Sequence, residues 1–219
     1  MYINEESQMV DGVIFDAFGT LLEIRNRQNP FRRLLRLGSQ QGRTASPDDI
    51  RWIMAHSHGL EETASAFGIK LEPTQLIELQ STLDRELESI KCFDDALPAI
   101  ERLQEHGIKV GVCSNLAGPY CSKVRSLLPG MNAYALSAET GVLKPDPEMY
   151  RIICSMLNAH PGKAPGSEGS KVLMIGDSKR CDQLGPRSYG ILGHHLDRHG
   201  TGQFRNLMEF TNAVSEAIF

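Results

Sequence analysis

Short apolar segments alternate with amphipathic helical segments along much of this 219-residue chain. A short apolar run bounded by turn residues is typical of a buried parallel strand. When such strands alternate with helices, the pattern predicts an α/β fold with a doubly wound parallel sheet. The predicted strands are Val10–Asp16, Ile108–Cys113, Tyr134–Leu136, Val172–Ile175 and Ile191–Leu192.

One long segment after the first strand interrupts this alternation. Between Pro30 and Ile90 the apolar residues recur at helical spacing, and there is no strong strand signal. One helix is predicted to begin with Ser46 as its N-cap and to run to Phe67, where Gly68 stops it. We therefore predict a small all-helical cap domain at residues 23–93, inserted into an α/β core domain formed by residues 1–22 and 94–219.

Composition excludes several classes of function. The formal net charge of −4 gives no electrostatic reason to bind nucleic acid or an anionic membrane. No apolar stretch approaches the roughly 18 residues that are needed to span a bilayer, so we expect no membrane span. The five cysteines form no CxxC pair, which favours reduced thiols and a cytoplasmic location. The sequence leaves the oligomeric state open.

Polar residues stand at the ends of three predicted strands. Asp16 ends the first strand, Ser114 and Asn115 follow the second, and Asp177 follows the fourth. Ligands of open parallel sheets bind outside the carboxyl ends of the strands, so these side chains are expected to share one site. An aspartate can attack phosphorus or carbon and form a covalent intermediate. Lys144, placed before a rigid Pro-Asp-Pro turn, can hold the oxygens on which negative charge develops.

These residues belong to four segments that resemble, in order, the four motifs of the haloacid dehalogenase (HAD) superfamily. The resemblance extends over the whole chain, with residues 23–93 in the place of a helical cap. It implies a Rossmann-like core and a hydrolase with an aspartate nucleophile. The four segments are Asp16-Ala17-Phe18-Gly19-Thr20, Ser114-Asn115, Lys144-Pro145-Asp146-Pro147, and Gly176-Asp177-Ser178 with Asp182.

The resemblance also implies individual roles within the site. Asp16 would be the nucleophile, and Ser114 and Lys144 would bind the transferred group. Thr20 and Asn115 are expected to lie beside the substrate, which we predict to be a small anionic molecule.

The same resemblance implies a magnesium site. Mg²⁺ prefers hard oxygen ligands, and Asp16 and Asp177 carry two of them. The family pattern adds the backbone carbonyl of Phe18 as a ligand, and Asp182 as a supporting ligand or as the residue that orients metal-bound water. Mg²⁺ is accordingly the predicted cofactor.

An arginine cluster lies where the predicted cap begins. Its members are Arg25, Arg27, Arg32, Arg33 and Arg36. Arg25 and Arg27 are nearest to the first motif, and we predict that Arg25 contacts an anionic substrate. A solvated helix face is the simpler interpretation of the other three.

Phe18 departs from the phosphatase pattern. Phosphatases of the superfamily have an aspartate at this position, which protonates the leaving alcohol and later activates water, and phenylalanine cannot carry a proton. The dehalogenase branch typically has a tyrosine there, uses no metal, and has neutral residues where this chain has Asp177.

The acidic fourth motif favours the phosphatase interpretation over the dehalogenase one. Three carboxylates in one pocket are costly unless a cation is present, so we predict Mg²⁺-dependent hydrolysis of a small phosphorylated metabolite. The alternatives are 2-haloacid dehalogenation, hydrolysis of a phosphonate or another carbon–heteroatom bond, and binding of a phosphorylated ligand without turnover.

Overall fold

A computed structural model describes residues 10–161, 171–200 and 202–216. The outer ends of the predicted core domain, residues 1–9 and 217–219, lie outside these ranges. In chain order the strands are β1 (Val10–Phe15), β2 (Leu22–Ile24), β3 (Ile90–Cys92), β4 (Lys109–Ser114), β5 (Ala133–Leu136), β6 (Lys171–Gly176) and β7 (Leu192–His195).

Five of these strands form one parallel sheet in the order β5-β4-β1-β6-β7. The first strand of the chain is therefore central, and the chain adds strands on both of its sides. This order confirms the predicted doubly wound parallel sheet. It also makes β4, β1 and β6 immediate neighbours, so the three strands that precede the predicted site residues end side by side.

Ten helices accompany the strands in the described residues, together with a π-helical segment at Lys179–Leu184. The helices are α1 (Pro30–Gln40), α2 (Asp49–Met54), α3 (Leu60–Ala66), α4 (Pro73–Glu88), α5 (Ala96–Glu105), α6 (Gly118–Leu127), α7 (Ser137–Thr140), α8 (Pro147–Met156), α9 (Gly185–Arg187) and α10 (Leu207–Glu216). Within the described part of the chain, no helix combines the length and the apolar character that a membrane crossing requires.

The central strand separates two apolar layers. Val13 and Phe15 belong to the cluster that includes Phe210 of α10, whereas Ile14 belongs to the cluster that includes Met149 of α8. Successive side chains of a strand point to opposite faces, so an almost continuous apolar run is what a strand covered on both faces requires. This burial fixes β1, and with it the position of the residue that follows it.

The helical segment is bounded by a short antiparallel ribbon. β2 pairs with β3, and Leu22 lies opposite Cys92. The four helices α1 to α4 occupy the chain between these two strands. The sequence pattern predicts an all-helical segment and does not predict this ribbon, because three-residue strands are too short to show a period. The ribbon brings the start and the end of the helical segment together beside the core.

The predicted helix from Ser46 to Phe67 is wrong as a single element. The structure divides it into α2 and α3, with extended backbone at Gly59. Ser46 does not cap a helix, since Asp48 occupies the N-cap of α2. Trp52 packs against His56 and His58 in the break and against Phe67 after α3, so aromatic contacts join the two helices. The predicted stop at Gly68 is confirmed by its φ of 65°.

Glu86 of α4 forms a buried polar junction between the helical segment and the core. Its side chain is 3% exposed. The carboxylate accepts hydrogen bonds from the backbone N–H groups of Gln28 and Asn29, which lead into α1. It also accepts a hydrogen bond of 2.7 Å from the hydroxyl of Tyr120, which lies on α6 of the core. One carboxylate therefore satisfies three donors from two parts of the chain.

Replacing Glu86 by alanine should lower the free energy of unfolding by about 1–3 kcal/mol, because two backbone donors and one hydroxyl lose their acceptor. Glu88→Ala is the matched control, since Glu88 is exposed on the same helix. Its effect should stay within about 0.5 kcal/mol. Urea unfolding followed by circular dichroism measures both variants. Equal stability of the two would show that the junction contributes nothing.

Candidate active site

Asp16 stands directly after the central strand, at the carboxyl end of the sheet. Its backbone N–H donates to the carbonyl of Ile175 on the neighbouring strand β6, and the residue is 8% exposed. The chain then turns sharply, and Gly19 has a φ of 84°. A Cβ atom at Gly19 would lie 2.1 Å from Oδ2 of Asp177. The glycine thus allows the turn after Asp16 to pack directly against Asp177.

Lys144 connects two acidic residues of the site. Its Nζ donates to Oδ1 of Asp16 at 2.8 Å and to Oδ1 of Asp182 at 2.6 Å, and the lysine is buried. The side chain of Asn115 positions the lysine backbone, since it donates to the carbonyl of Lys144 and accepts from its N–H, both at 2.8 Å. The second and third motifs are therefore joined by a reciprocal pair of hydrogen bonds.

Two carboxylates of the site, those of Asp177 and Asp182, have raised pKa values. Burial raises the pKa of Asp182 to about 6; the charge of Asp16 adds to this effect, and Lys144 opposes it. Burial and the charge of Asp16 also raise the pKa of Asp177. Burial disfavours the charge of Lys144, but Asp16 and Asp182 outweigh it and raise its pKa well above the usual value. The site thus has more negative charge than its single lysine compensates.

The donor set fits a hard divalent cation. Asp16, Asp177 and Asp182 each present a carboxylate oxygen, and these atoms lie within 4.8 Å of one another. Asp177 is exposed whereas the other two are buried, so the cluster opens to solvent on one side. The space between these three oxygens also adjoins the turn at Phe18. Such a set of carboxylate oxygens matches the oxygen ligands that Mg²⁺ prefers.

Ser114 and Thr20 are both buried. Ser114 is the last residue of β4, adjacent to the central strand. Thr20 is fully buried, and in the described part of the chain its Oγ1 has no hydrogen-bond partner. Its carbonyl accepts a hydrogen bond of 2.7 Å from Arg198. Thr20 therefore helps to fix the turn after Asp16, and the structure does not present it to the cleft described below.

Arg198 supports the site in a way that the sequence did not predict. Its guanidinium donates to both carboxylate oxygens of Asp95 and lies 3.8 Å from the ring centroid of Phe93. Together with the bond to Thr20, these contacts tie the turn after Asp16 to the start of α5. Arg198 lies in an irregular segment, where no periodic pattern could have indicated its partners.

Phe18 faces a cleft between the helical segment and the core. Its ring packs edge-on against Tyr120, with ring centroids 5.9 Å apart. The cleft has a volume of about 250 Å³, and Arg27 and Arg32 are among its lining residues. Arg25 is placed elsewhere: it is exposed, and its Nε bonds to Glu23 at 2.6 Å. The structure thus brings Asp16, Lys144, Asp177 and Asp182 together and leaves Arg25 apart from the cleft.

Comparison with known proteins identifies the family. The family model for haloacid dehalogenase-like hydrolases matches residues 10–188, and the chain belongs to this family of hydrolases. No curated protein sequence matches the chain significantly. The match includes all four motif segments, so the family expected from the sequence is confirmed.

Solved structures of the superfamily have the same fold. A HAD phosphatase from Thermococcus onnurineus superposes with a TM-score of 0.62 at 22% identity, over 94% of this chain and 98% of that chain. An L-2-haloacid dehalogenase from Xanthobacter autotrophicus gives a TM-score of 0.61 at 15% identity, over 95% and 99%. A HAD-superfamily hydrolase from Ehrlichia chaffeensis gives 0.60 at 22%, over 97% and 99%. Phosphatases and dehalogenases thus share this fold, and the fold alone does not choose between them.

Replacing Lys144 by methionine should destabilise the protein by about 3–5 kcal/mol at neutral pH, because Asp16 and Asp182 lose their buried counter-ion. Without the opposing lysine, burial raises the pKa of Asp182 in the folded state further, so protonation stabilises the variant as the pH falls. The deficit relative to wild type should therefore shrink between about pH 7.5 and pH 5.

Urea unfolding at the two pH values measures this deficit. Lys91→Met provides the control, since Lys91 is exposed on β3. A deficit for Lys144→Met that equals that of the control, or that grows as the pH falls, would contradict the assigned ion pairs.

Proposed function

We propose that this protein is a Mg²⁺-dependent phosphohydrolase that acts on a small phosphorylated metabolite, with Asp16 as nucleophile. The observation that carries this proposal is the cluster of Asp16, Asp177 and Asp182, whose oxygens lie within 4.8 Å of one another. Lys144 compensates one of the three negative charges, and a divalent cation would compensate the other two. Hydrolysis at carbon with halide as leaving group does not require such a cluster.

In the proposed first step, a carboxylate oxygen of Asp16 attacks phosphorus, and the bond from phosphorus to the leaving oxygen breaks. Lys144 orients Asp16 through the 2.8 Å contact and offers positive charge to the transferred oxygens. Ser114 is the hydroxyl donor for the same oxygens. Bound through Asp16, Asp177, Asp182 and the carbonyl of Phe18, Mg²⁺ would supply further positive charge for the transferred group.

Phe18 determines which leaving groups this site can expel. The side chain offers no proton, so the leaving oxygen must depart as an anion. Acyl, aryl and enol oxygens do so far more readily than alkoxides. In the second step, water attacks phosphorus of the aspartyl phosphate, and phosphate and free Asp16 are regenerated. Position 18 provides no base for that water either, so a missing acid–base group slows both steps by up to about 10²–10⁴-fold.

Phosphate release in the presence of Mg²⁺ tests the proposal directly. We expect turnover of acetyl phosphate and 4-nitrophenyl phosphate, much slower turnover of alkyl phosphates, and none after metal removal with a chelator. Asp16→Asn should abolish turnover, because an amide is not a nucleophile for phosphorus. Thermal unfolding checks that Asp16→Asn is still folded at the assay temperature; if it is, the loss of turnover comes from the missing nucleophile.

Dehalogenation is the second candidate, and Phe18 is the observation that favours it. A halide ion leaves without a proton, so an aromatic residue at this position costs that reaction nothing. Chloride release from 2-chloropropionate in the presence of a chelator, without phosphate release from any ester, would replace the first proposal by the second.

Phe18→Asp should restore the missing proton transfer. For alkyl phosphates we expect kcat to rise by about 10²-fold or more, whereas 4-nitrophenyl phosphate should change little, since its leaving group needs no proton. Phe18→Asn is the matched control, because asparagine has nearly the same shape as aspartate and cannot act as an acid. A similar gain in Phe18→Asn would mean that the ring hinders access and that proton transfer is not involved.

A further inference from the structure

We propose that the cleft beside Phe18 binds a leaving group with an apolar ring and a second anionic group, and that Arg27 and Arg32 recognise this anion. The substrate would then be an aryl or enol phosphate that carries a carboxylate. This inference rests on the proposed phosphohydrolase activity and adds the class of substrate to it.

The structure divides the five arginines at the start of the helical segment into three groups. Arg25 pairs with Glu23 on the ribbon. Arg33 and Arg36 line a separate groove between α1 and α4. The remaining two, Arg27 and Arg32, line the cleft that also contains Phe18. The sequence presents the five as one basic cluster, and only the fold distinguishes the two that face the cleft.

The two cleft arginines are available to a ligand. In the described part of the chain neither Arg27 nor Arg32 forms an ion pair, whereas Arg33 donates to the carbonyl and the side chain of Gln28. A free guanidinium at the wall of a ligand cleft suits a carboxylate, which it can bind through two parallel hydrogen bonds.

The carboxylate that lines the same cleft does not neutralise them. Glu86 accepts hydrogen bonds from two backbone N–H groups and from the hydroxyl of Tyr120. Burial and Glu86 raise the pKa of Tyr120, and Arg27 opposes them, which places Arg27 within electrostatic reach of the cleft wall. Arg27 and Arg32 carry two positive charges and Glu86 carries one negative charge, so the lining has one excess positive charge.

Most of the other lining residues are apolar. The side chains of Phe31, Ile50, Ile53, Met54 and Leu116 line the cleft together with the rings of Phe18 and Tyr120. A dry cavity of about 150 Å³ is large enough to hold benzene. The volume of about 250 Å³ therefore accommodates one ring with a short substituent.

The position of the cleft relates this specificity to the chemistry. Phe18 follows Asp16 by two residues, and Asn115, which lines the cleft, holds the backbone of Lys144. A substrate whose phosphoryl group lies at Asp16 would then place its leaving group beside Phe18, in the cleft. Because no proton is available at Phe18, the leaving oxygen must be a weak base. A phenolic or enolic oxygen meets this requirement, and the unsaturated carbon frame attached to it fits the apolar lining.

Binding of a non-hydrolysable probe tests the inference without turnover. Isothermal titration with Mg²⁺ present would compare 4-(phosphonomethyl)benzoate with benzylphosphonate, which lacks the carboxylate. We expect the carboxylate to tighten binding by about tenfold or more, because each arginine adds charge-assisted hydrogen bonds. Arg27→Ala and Arg32→Ala should each lose most of this preference, and Arg36→Ala should retain it.

The possible outcomes separate the two proposals. Equal affinity for the two phosphonates, or the same loss in Arg36→Ala as in Arg27→Ala, would overturn the substrate class even if aryl phosphates are hydrolysed. The protein could instead keep its preference for the carboxylate and release no phosphate from 4-carboxyphenyl phosphate or the other esters. That result would uphold the cleft assignment and overturn the phosphohydrolase activity. Faster turnover of 4-carboxyphenyl phosphate than of its methyl ester, with this difference lost in Arg27→Ala and Arg32→Ala, would support both.

Discussion

The buried ion pairs of Lys144 hold the site together. Its ammonium group contacts Asp16 at the end of β1 and Asp182 in the π-helical segment, and Asn115 fixes its backbone from the end of β4. Charges at this depth are tolerated only in partnership, so the ends of β1 and β4, the segment that carries Lys144 and the π-helical segment must meet in one arrangement. The excess of carboxylates over lysine is the same feature that makes the site suitable for a divalent cation.

The helical segment is joined to this site through a second buried junction. Glu86 satisfies donors at the start of α1 and the hydroxyl of Tyr120, and the ring of Tyr120 packs on Phe18. The ring of Phe18 thus forms part of the packing between the helical segment and the core. The same ring contributes to the apolar lining of the cleft, so Phe18 belongs both to this contact and to the cleft wall.

Much of the fold follows from the sequence for simple physical reasons. The apolar run of β1 is continuous because the strand is covered on both faces, and the alternation of strand and helix leaves few arrangements besides a parallel sheet. The predicted helix through Ser46 and Phe67 failed because the apolar pattern continues across a break in the backbone, where Trp52 contacts His56 and Phe67. The β2–β3 ribbon was not predicted because each of its strands has three residues, which is too short to show a period.

For the site, the sequence by itself determined the order and chemistry of the motifs, and hence the family, since residue type and strand-end position are local properties. Tertiary structure decided how these residues are used. It placed Asn115 against the backbone of Lys144, brought in Arg198 to support the turn at Thr20, paired Arg25 with Glu23, and turned Arg27 and Arg32 towards the cleft. Five arginines of one cluster are chemically equivalent in a sequence, and only the packing of the helical segment on the core makes them different.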